Sequence, residues 1–368
     1  MIVKKIELLL ISKKLKHPFK TSFGTTYNRK ILLVKMFTDG EVGWGECVAG
    51  EGPWYSYETY ETAMLVIRKY LSKLILGKNF DNLGELSLVM DRVRGHNMAK
   101  TALEEAFLDA YTKQLNVPLY KHLGGVRNKI KSGVSVGIQK DIPSLINLIS
   151  SYLDEGYKRI KIKIEPGWDV NVLKSIREEF GDIPLQVDAN AAYTLKDINT
   201  LKQIDNFNLL MIEQPLHYND LYEHSLLRRE LKTPICLDES IKDIYCAEAA
   251  IALKSVDIIN IKPGRVGGIV SAKAIHDLAE KNGIGVWIGG MLETGIGRSF
   301  LVALASLPNV KYPNDVSASS RYWDEDIVEP EFVLNKDGTI DVPSGPGIGV
   351  NVLEDKIEKL TLKKIEIS

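Results

Sequence analysis

Five charged residues recur along the middle of the sequence at a nearly constant spacing. They are Lys163, Asp188, Glu213, Asp238 and Lys262, and about 25 residues separate each from the next. Each ends or follows a short run of apolar, β-branched residues, and one strand–helix unit is about this long. A ring of parallel strands would bring such side chains together at one end. The spacing therefore predicts one site with three carboxylates between two lysines.

The three carboxylates, Asp188, Glu213 and Asp238, require a counter-charge, because negative groups held close together cannot all remain ionised. A divalent cation would supply it, so we predict that these residues are metal ligands. The donors are oxygens, with no thiol or imidazole among them, which favours Mg²⁺ or Mn²⁺ over zinc. A strand-end carboxylate can instead cap the following helix. Three carboxylates at one period favour the metal site.

The lysines indicate acid–base chemistry. Residues 159–164 alternate between basic residues and isoleucine, so Lys161 and Lys163 share one face of the predicted strand. In a central strand this face points into the barrel, whereas in an edge strand the lysines would be solvated. Lys163 is a base only when its amine is neutral, a form that Lys161 and a metal ion favour. Lys262 would enter the site from the opposite side, and we predict that all three lysines are catalytic.

This arrangement suits the removal of a proton next to a carboxylate. A metal ion would hold the substrate carboxylate and stabilise the resulting enediolate. With lysines on both faces of that intermediate, a proton can be taken on one side and delivered on the other.

The elements that must position these residues alternate between strands and helices. Seven short strand-like runs lie at residues 133–138, 159–164, 185–188, 209–213, 235–238, 257–261 and 285–288, and an eighth is expected near Val310. Alternating strands and helices with short connections indicate a parallel sheet. Eight units predict an α/β fold, a modified (β/α)₈ TIM-type barrel, and a doubly wound open sheet is the alternative.

The remaining chain predicts a second structural unit. Residues 1–125 combine strand-like and helical segments and are expected to form an α+β capping domain. Residues 126–320 would form the barrel with the active site. Residues 321–368 break into short strands and turns and are expected to return to the capping domain.

Composition excludes several classes of function. The chain has 368 residues, with 47 Lys and Arg against 48 Asp and Glu, so its net charge is −1. A balanced charge offers no general attraction for nucleic acid or anionic lipid. Three cysteines without paired spacing, and no secretory signal or membrane-spanning run, predict a cytoplasmic protein. We expect a homo-oligomer that binds a small-molecule carboxylate.

The charged residues resemble those of a known superfamily. Lys161-Ile-Lys163, Asp188-Ala-Asn190, Glu213-Gln-Pro215, Asp238-Glu239 and Lys262-Pro263 stand in the order found in the enolase superfamily. Residues 95–100, 133–138, 262–268 and 289–298 resemble the o-succinylbenzoate synthases and the related N-acylamino acid (N-succinylamino acid) racemases. This superfamily uses a lysine or histidine base with Mg²⁺. The resemblance covers the whole chain.

The resemblance implies roles for particular residues. Lys163 and Lys262 would be the acid–base pair, and the three carboxylates would bind Mg²⁺. Residues at or near the substrate would be Ser135, Asn190, Glu239, Met291 and Glu293. No histidine lies between residues 283 and 298, which argues against the mandelate-type branch with its histidine base.

The implied reaction is a dehydration in menaquinone biosynthesis. The substrate would be 2-succinyl-6-hydroxy-2,4-cyclohexadiene-1-carboxylate and the product 2-succinylbenzoate. The alternative is racemisation of N-acylated or N-succinylated amino acids by both lysines, and one protein can carry both activities. A non-catalytic barrel would be expected to lack one charged member, and a metal hydrolase would normally show histidine ligands.

Two aromatic loops are expected to close the site. Residues 16–24, with Phe19 and Phe23, and residues 50–55 combine Gly or Pro with aromatic side chains. As lids they would exclude water and contact the substrate, although they can also be ordinary surface loops. Arg265 either tunes the charge of Lys262 or fixes a loop by an ion pair.

Overall fold

Two sheets organise the chain in the computed structural model, which describes residues 1–21 and 24–368. The strands are β1 Val3–Thr21, β2 Gly24–Thr38, β3 Val42–Cys47, β4 Lys129–Lys131, β5 Val134–Val136, β6 Ile160–Lys163, β7 Leu185–Asp188, β8 Ile212–Glu213, β9 Ile235–Leu237, β10 Ile258–Ile261, β11 Gly285–Ile288, β12 Val328–Glu329, β13 Thr339–Asp341, β14 Asn351–Val352 and β15 Thr361–Ile367.

Helices cover both sheets. They are α1 Tyr60–Val66, α2 Ser72–Ile75, α3 Leu83–Met90, α4 Asn97–Gln114, α5 Leu119–His122, α6 Ile142–Asp154, α7 Val170–Phe180, α8 Ile198–Ile204, α9 Tyr222–Leu227, α10 Ile244–Ala252, α11 Pro263–Val266, α12 Ile269–Lys281, α13 Gly295–Ala305 and α14 Glu354–Leu360. A π-helical turn, Ile67–Leu71, joins α1 to α2, and 3₁₀ turns lie at Leu195–Asp197, Asp205–Phe207 and Ser319–Arg321. Among the helices of residues 1–21 and 24–368, none has the length and apolar character needed to cross a bilayer.

The seven strands β5 to β11 form one parallel sheet in sequence order, and this sheet closes into a barrel. The segment around residues 310–315 fills the eighth position. Val310 bridges Val286 of β11, and Asn314 bridges Ser132, which precedes β5. Both flanks of the segment are therefore hydrogen-bonded to the parallel sheet. The predicted barrel is confirmed, and the open sheet is wrong because the outer strands are joined through this segment.

The barrel strands are short, and they are mostly apolar because a parallel strand covered by helices is buried on both faces. Strand β10 is buried throughout, with Asn260 as its only polar residue. The surrounding helices begin at residues suited to that position. Asp141 caps α6 by accepting a hydrogen bond from Ser144 N, and Asp243 caps α10 by accepting one from Cys246 N. Such caps set where each helix starts and hence how each strand end is presented.

The capping sheet is antiparallel, in the order β15-β1-β2-β3. The last strand of the chain thus pairs with the first. Helix α4 packs on β3 at very short range, because Gly43 and Gly45 have no side chain. A Cβ atom at these positions would lie 1.9 Å from Ala106 O and 2.1 Å from Ala102 O. The residue boundaries proposed for the domains stay a prediction.

Residues 16–21 and Gly24, which were expected to belong to a Gly/Pro loop, are instead part of a long β-ribbon. Strand β1 continues to Thr21 and pairs with β2 up to its outer end, with Phe19 opposite Thr26 and Lys20 opposite Thr25. The apolar run of residues 3–12 by itself predicts a strand that ends near Ser12, because the following residues are mostly polar. Cross-strand backbone hydrogen bonds, which hydrophobic alternation does not report, extend the ribbon.

Candidate active site

A cavity of about 520 Å³ lies between the capping domain and the barrel. Cap residues on its wall include Phe19, Arg29, Tyr55 and Met98, and barrel residues include Ser135, Lys161, Lys163, Asn190, Lys262, Met291 and Asp315. The carboxyl ends of parallel strands point to this cavity, which is where barrel enzymes hold their reacting groups.

The five residues of constant spacing all stand at strand ends. Lys163, Asp188 and Glu213 are the last residues of β6, β7 and β8, while Asp238 and Lys262 directly follow β9 and β10. The register of strand pairing aligns these residues, because Lys163 lies opposite Asp188 and Asp188 lies opposite Glu213 in neighbouring strands. All five side chains are buried. The strand–helix period therefore places these groups side by side.

Each of the three carboxylates forms an ion pair with a lysine side chain. Lys163 Nζ lies 2.5 Å from Asp188 Oδ2, and Lys262 Nζ lies 2.8 Å from Asp238 Oδ2. Lys163 Nζ also donates to Asn190 Oδ1 at 2.7 Å. The two lysines predicted as the acid–base pair thus contact different carboxylates, and both line the cavity.

Lys161 lies deeper and is surrounded by carboxylates. Its Nζ is 3.0 Å from Glu213 Oε2, 3.3 Å from Asp188 Oδ2 and 2.5 Å from Asp315 Oδ2. Burial lowers the pKa of Lys161, but the carboxylates outweigh burial and raise that pKa above its usual range. Lys161 therefore keeps its positive charge at neutral pH beside Lys163.

Burial and neighbouring charges also act in opposite directions on the pKa values of Lys262 and Asp188. Burial lowers the pKa of Lys262, while Tyr55 and Glu213 raise it, and the net direction is upward. Burial raises the pKa of Asp188, but Lys163 and Lys161 hold it well below its ordinary value. For Glu213, burial and then Asp188 raise the pKa above its ordinary value. The cluster is thus short of positive charge around Glu213.

The donor chemistry fits a divalent cation. The three predicted ligands are buried oxygens on adjacent strands, and Glu239 beside them has a buried Oε2 without a hydrogen-bond partner. Their ligand atoms do not all lie within 4.8 Å of one another. Among the described residues, one set of three possible ligands has its ligand atoms within 4.8 Å of one another. This set is His276, Asp277 and Glu280 in α12. In the three-carboxylate cluster, each carboxylate forms an ion pair with a different cation. Asp188 pairs with Lys163, Glu213 with Lys161, and Asp238 with Arg265.

The α12 group is a poor candidate for a metal site. His276 Nε2 accepts a hydrogen bond from Asn309 N at 3.0 Å, and its Nδ1 lies 2.8 Å from Asp277 Oδ1. Both ring nitrogens are therefore engaged within the protein. Asp277 is also paired with Lys273 at 2.6 Å.

Sequence reasoning missed Asp315. Its buried carboxylate pairs with Lys161 and also with Arg159 Nη2 at 2.7 Å, and Ser135 Oγ donates to it at 3.2 Å. Burial raises the pKa of Asp315, but Arg159 and Lys161 lower it far more. A signal existed, because two further steps of the 25-residue period after Lys262 lead close to position 315. No extended apolar run marks this irregular eighth segment.

Tyr55 was also missed as an individual site residue. Its hydroxyl lies 3.2 Å from Asp238 Oδ1, 3.2 Å from Lys262 Nζ and 3.4 Å from Arg265 Nη1. It was expected only as part of an aromatic loop. Arg265 is buried, forms a close ion pair with Asp238, and donates to Ile241 O at 2.7 Å. Arg265 therefore adds a positive charge to the site and holds the loop that contains Ile241.

Four of the predicted substrate residues line the cavity, namely Phe19, Ser135, Asn190 and Met291. Glu239 accepts a hydrogen bond from Asn190 Nδ2 at 2.8 Å and borders an adjoining cavity of about 560 Å³.

The two remaining predicted substrate residues are Glu293 and Phe23. Glu293 is buried behind the cavity wall, where its carboxylate accepts from Met291 N at 2.8 Å and shapes the loop that carries Met291. Phe23 lies outside the described residues.

A closed parallel barrel with charged strand ends, covered by an α+β cap, is the architecture of one enzyme class. Residues 144–356 match the family described as enolase C-terminal domain-like, and residues 5–124 match the mandelate racemase / muconate lactonizing enzyme N-terminal domain. The chain therefore belongs to the enolase superfamily, and the resemblance drawn from its motifs is confirmed.

Individual relatives narrow the comparison. An o-succinylbenzoate synthase of Geobacillus kaustophilus is 48% identical over 349 residues, covering 95% of this chain and 93% of that protein. An N-succinylamino acid racemase of an Amycolatopsis species is 48% identical over 363 residues, covering 98% of both chains. The crystal structure of an enolase superfamily member from Listeria innocua matches with a TM-score of 0.96 and 38% identity, covering 100% of this chain and 99% of that one.

Proposed function

We propose that this protein is an o-succinylbenzoate synthase of menaquinone biosynthesis, which dehydrates 2-succinyl-6-hydroxy-2,4-cyclohexadiene-1-carboxylate to 2-succinylbenzoate. One observation carries the proposal: Lys163 and Lys262 reach the same cavity, and each is bonded to a different buried carboxylate. This arrangement suits a substrate whose acidic carbon lies next to a carboxylate group. The synthases among the relatives support the particular reaction.

We infer that the cofactor is Mg²⁺, held by Asp188, Glu213 and Asp238. Enzymes of this superfamily generally depend on a divalent metal ion, and the all-oxygen donor set favours magnesium or manganese. When bound, the ion would supply the positive charge that stabilises an enediolate.

Lys163 would remove the proton from the carbon next to the substrate carboxylate. Its amine lines the cavity beside the positively charged Lys161, and hydrogen bonds to Asp188 and Asn190 hold it in place. Elimination needs one such lysine, because the same group can take the proton and return it to the departing hydroxyl, which leaves as water. Lys262 would remain an ammonium ion, in agreement with its raised pKa, and stabilise the negative charge on the opposite side.

N-succinylamino acid racemisation is the second candidate, favoured by the presence of two lysines on the cavity wall. Racemisation needs a base on each face of the substrate, and each lysine must be neutral in turn. Relatives named as racemases support this activity. We propose that it accompanies the synthase activity in the same site.

The experiment measures both reactions on one preparation, with α-proton exchange in D₂O followed for each enantiomer of N-succinylphenylalanine. Lys163→Ala should abolish elimination and racemisation. Lys262→Ala should leave exchange on one enantiomer only. Lys281→Ala, on the exposed end of α12, is the matched control and should change neither reaction. Turnover of a dipeptide or of muconate, with neither proposed substrate consumed, would refute the assignment.

We further propose a cytoplasmic location and a homo-oligomer. The unpaired state of all three cysteines in the structure agrees with a reducing compartment. Size-exclusion chromatography with light scattering tests the oligomeric state.

A further inference from the structure

We propose that the outer part of the β1–β2 ribbon is a charged collecting surface for dianionic substrates, and that Lys14, Lys16 and Lys20 carry this role. The inference rests on the proposed function, because the substrates of both candidate reactions carry two carboxylates. One carboxylate belongs to the reacting centre and the other to the succinyl tail.

The charge of this segment differs sharply from that of the whole chain. Residues 13–30 contain six Lys or Arg residues and one histidine, without a single Asp or Glu, whereas the whole chain has a net charge of −1. A surface of one sign beside a cavity raises the local concentration of ligands of the opposite sign.

The ribbon runs along the mouth of the site and forms part of its wall. Phe19 and residues 24–30 line the cavity. The main chain of Lys16 donates to Tyr322 O at 2.9 Å, and Tyr322 is another cavity residue. Farther out, the carbonyl of Lys20 lies so close to Gly137 that a Cβ atom there would be 2.4 Å from it. These contacts hold the backbone of the lysine-bearing strand along the edge of the cavity.

The three lysines carry charge that the described part of the protein does not neutralise. Lys14, Lys16 and Lys20 are exposed, and their amines form no ion pair within residues 1–21 and 24–368. The neighbouring Lys30 differs, because it pairs with Glu51 at 3.1 Å. Lys13 is also engaged, since its Nζ donates to Glu325 O at 2.8 Å.

Inside the cavity the cations are already paired with carboxylates. Lys161, Lys163, Lys262 and Arg265 face Asp188, Glu213, Asp238 and Asp315 in ion pairs. The inner groups therefore hold and transform the reacting carboxylate. The lysines of the ribbon, which form no ion pair among the described residues, add attraction for a second negative charge before contact.

The test replaces all three lysines by glutamine, which keeps side-chain length and polarity. For a dianionic N-succinylamino acid, kcat/KM at low ionic strength should fall about tenfold, with kcat nearly unchanged. For the N-acetyl analogue of the same amino acid, which carries one charge, the fall should be about threefold, because the attraction scales with ligand charge. The differences should disappear at high salt.

Two controls separate charge from fold. Arginine at the same three positions should retain the wild-type values. Glutamine at Lys69, Lys73 and Lys281, which are exposed and do not line the cavity, removes the same net charge and should leave kcat/KM unchanged. Equal losses for both substrates, or losses that persist at high salt, would overturn the inference while the proposed function stands. If the wild type turns over neither proposed substrate, the proposed function fails, and this inference fails with it.

Discussion

The two sides of the active-site cavity are built in different ways. On the barrel side, the charged groups end or follow strands of two to four residues, and parallel pairing with both neighbours fixes their positions. On the cap side, a long two-stranded ribbon reaches over the cavity and meets the barrel through a few contacts, among them Lys16 with Tyr322 and Lys20 with Gly137.

This difference separates the chemistry from the choice of substrate. A proton transfer requires groups held within a fraction of an ångström, which short buried strands provide. Recognition of a variable tail tolerates, and benefits from, a wall attached at fewer points. Changes on the barrel side should therefore act on kcat, and changes on the ribbon should act on KM and on substrate preference.

The strongest test of the barrel side concerns the metal. Chelation should abolish activity and Mg²⁺ should restore it. Asp238→Asn should lower kcat by about 10³-fold or more, since it removes a proposed ligand and a partner of Lys262. Enzyme kinetics against Mg²⁺ concentration, with circular dichroism for the fold, measure both effects.

Asp315→Asn is the matched control for this test. It also alters a buried carboxylate that binds a site lysine, Lys161, but it lies outside the three proposed ligands. We expect reduced turnover with no change in the Mg²⁺ concentration that gives half-maximal activity. Full activity of chelator-treated wild type would contradict the proposed metal dependence.

The second test addresses the rigid contact between cap and barrel. Glu104 of α4 is fully buried and accepts a hydrogen bond from Val270 N at the start of α12. Burial raises the pKa of Glu104 from 4.5 to about 7. Between these values the folded state binds more protons than the unfolded state, so this group makes stability fall as pH rises from about 4.5 to 7.

Glu104→Gln should remove that loss. At pH 8 the variant should gain about 1–3 kcal/mol in the free energy of unfolding over the wild type, while at pH 4.5 the two should be similar. Urea unfolding at both pH values measures the difference. Glu178→Gln, on the exposed face of α7, should show no such pH dependence of its effect. A stability difference independent of pH would contradict the buried-acid explanation.

The smallest expected effect lies on the ribbon side. Gly137→Ala would place a methyl group against the main chain of Lys20, so the end of the ribbon must shift outward. KM should rise about tenfold with little change in kcat, and residues 13–30 should become more sensitive to trypsin.

Phe19→Ala should likewise change KM or substrate preference more than thermal stability.

Gly84→Ala serves as the control for Gly137→Ala. Gly84 lies in α3 of the cap, where an added methyl group would meet only the side chain of Asn82. Unchanged KM and unchanged proteolysis in Gly137→Ala would show that the ribbon does not depend on this contact.

Much of the barrel side could be predicted from the sequence. The spacing of Lys163, Asp188, Glu213, Asp238 and Lys262 reflects the length of one strand–helix unit, and this local period implies that the five side chains meet. The seven parallel strands appear where β-branched runs indicate them, because a strand buried on both faces must be apolar along its length. The alternation of lysine and isoleucine likewise indicated which face Lys161 and Lys163 share.

Only the tertiary structure decided the remaining features. Asp315 joins the site because an irregular segment closes the barrel between the first and last parallel strands, and no extended apolar run marks that segment in the sequence. Tyr55 reaches Asp238 and Lys262 from another domain, across a sequence distance that no local pattern spans. The ribbon extends beyond its apolar residues because its stability comes from cross-strand backbone hydrogen bonds and contacts with the barrel. A local period can be read from neighbouring residues in the sequence. Contacts between distant segments depend on how the whole chain folds, so no local pattern reports them.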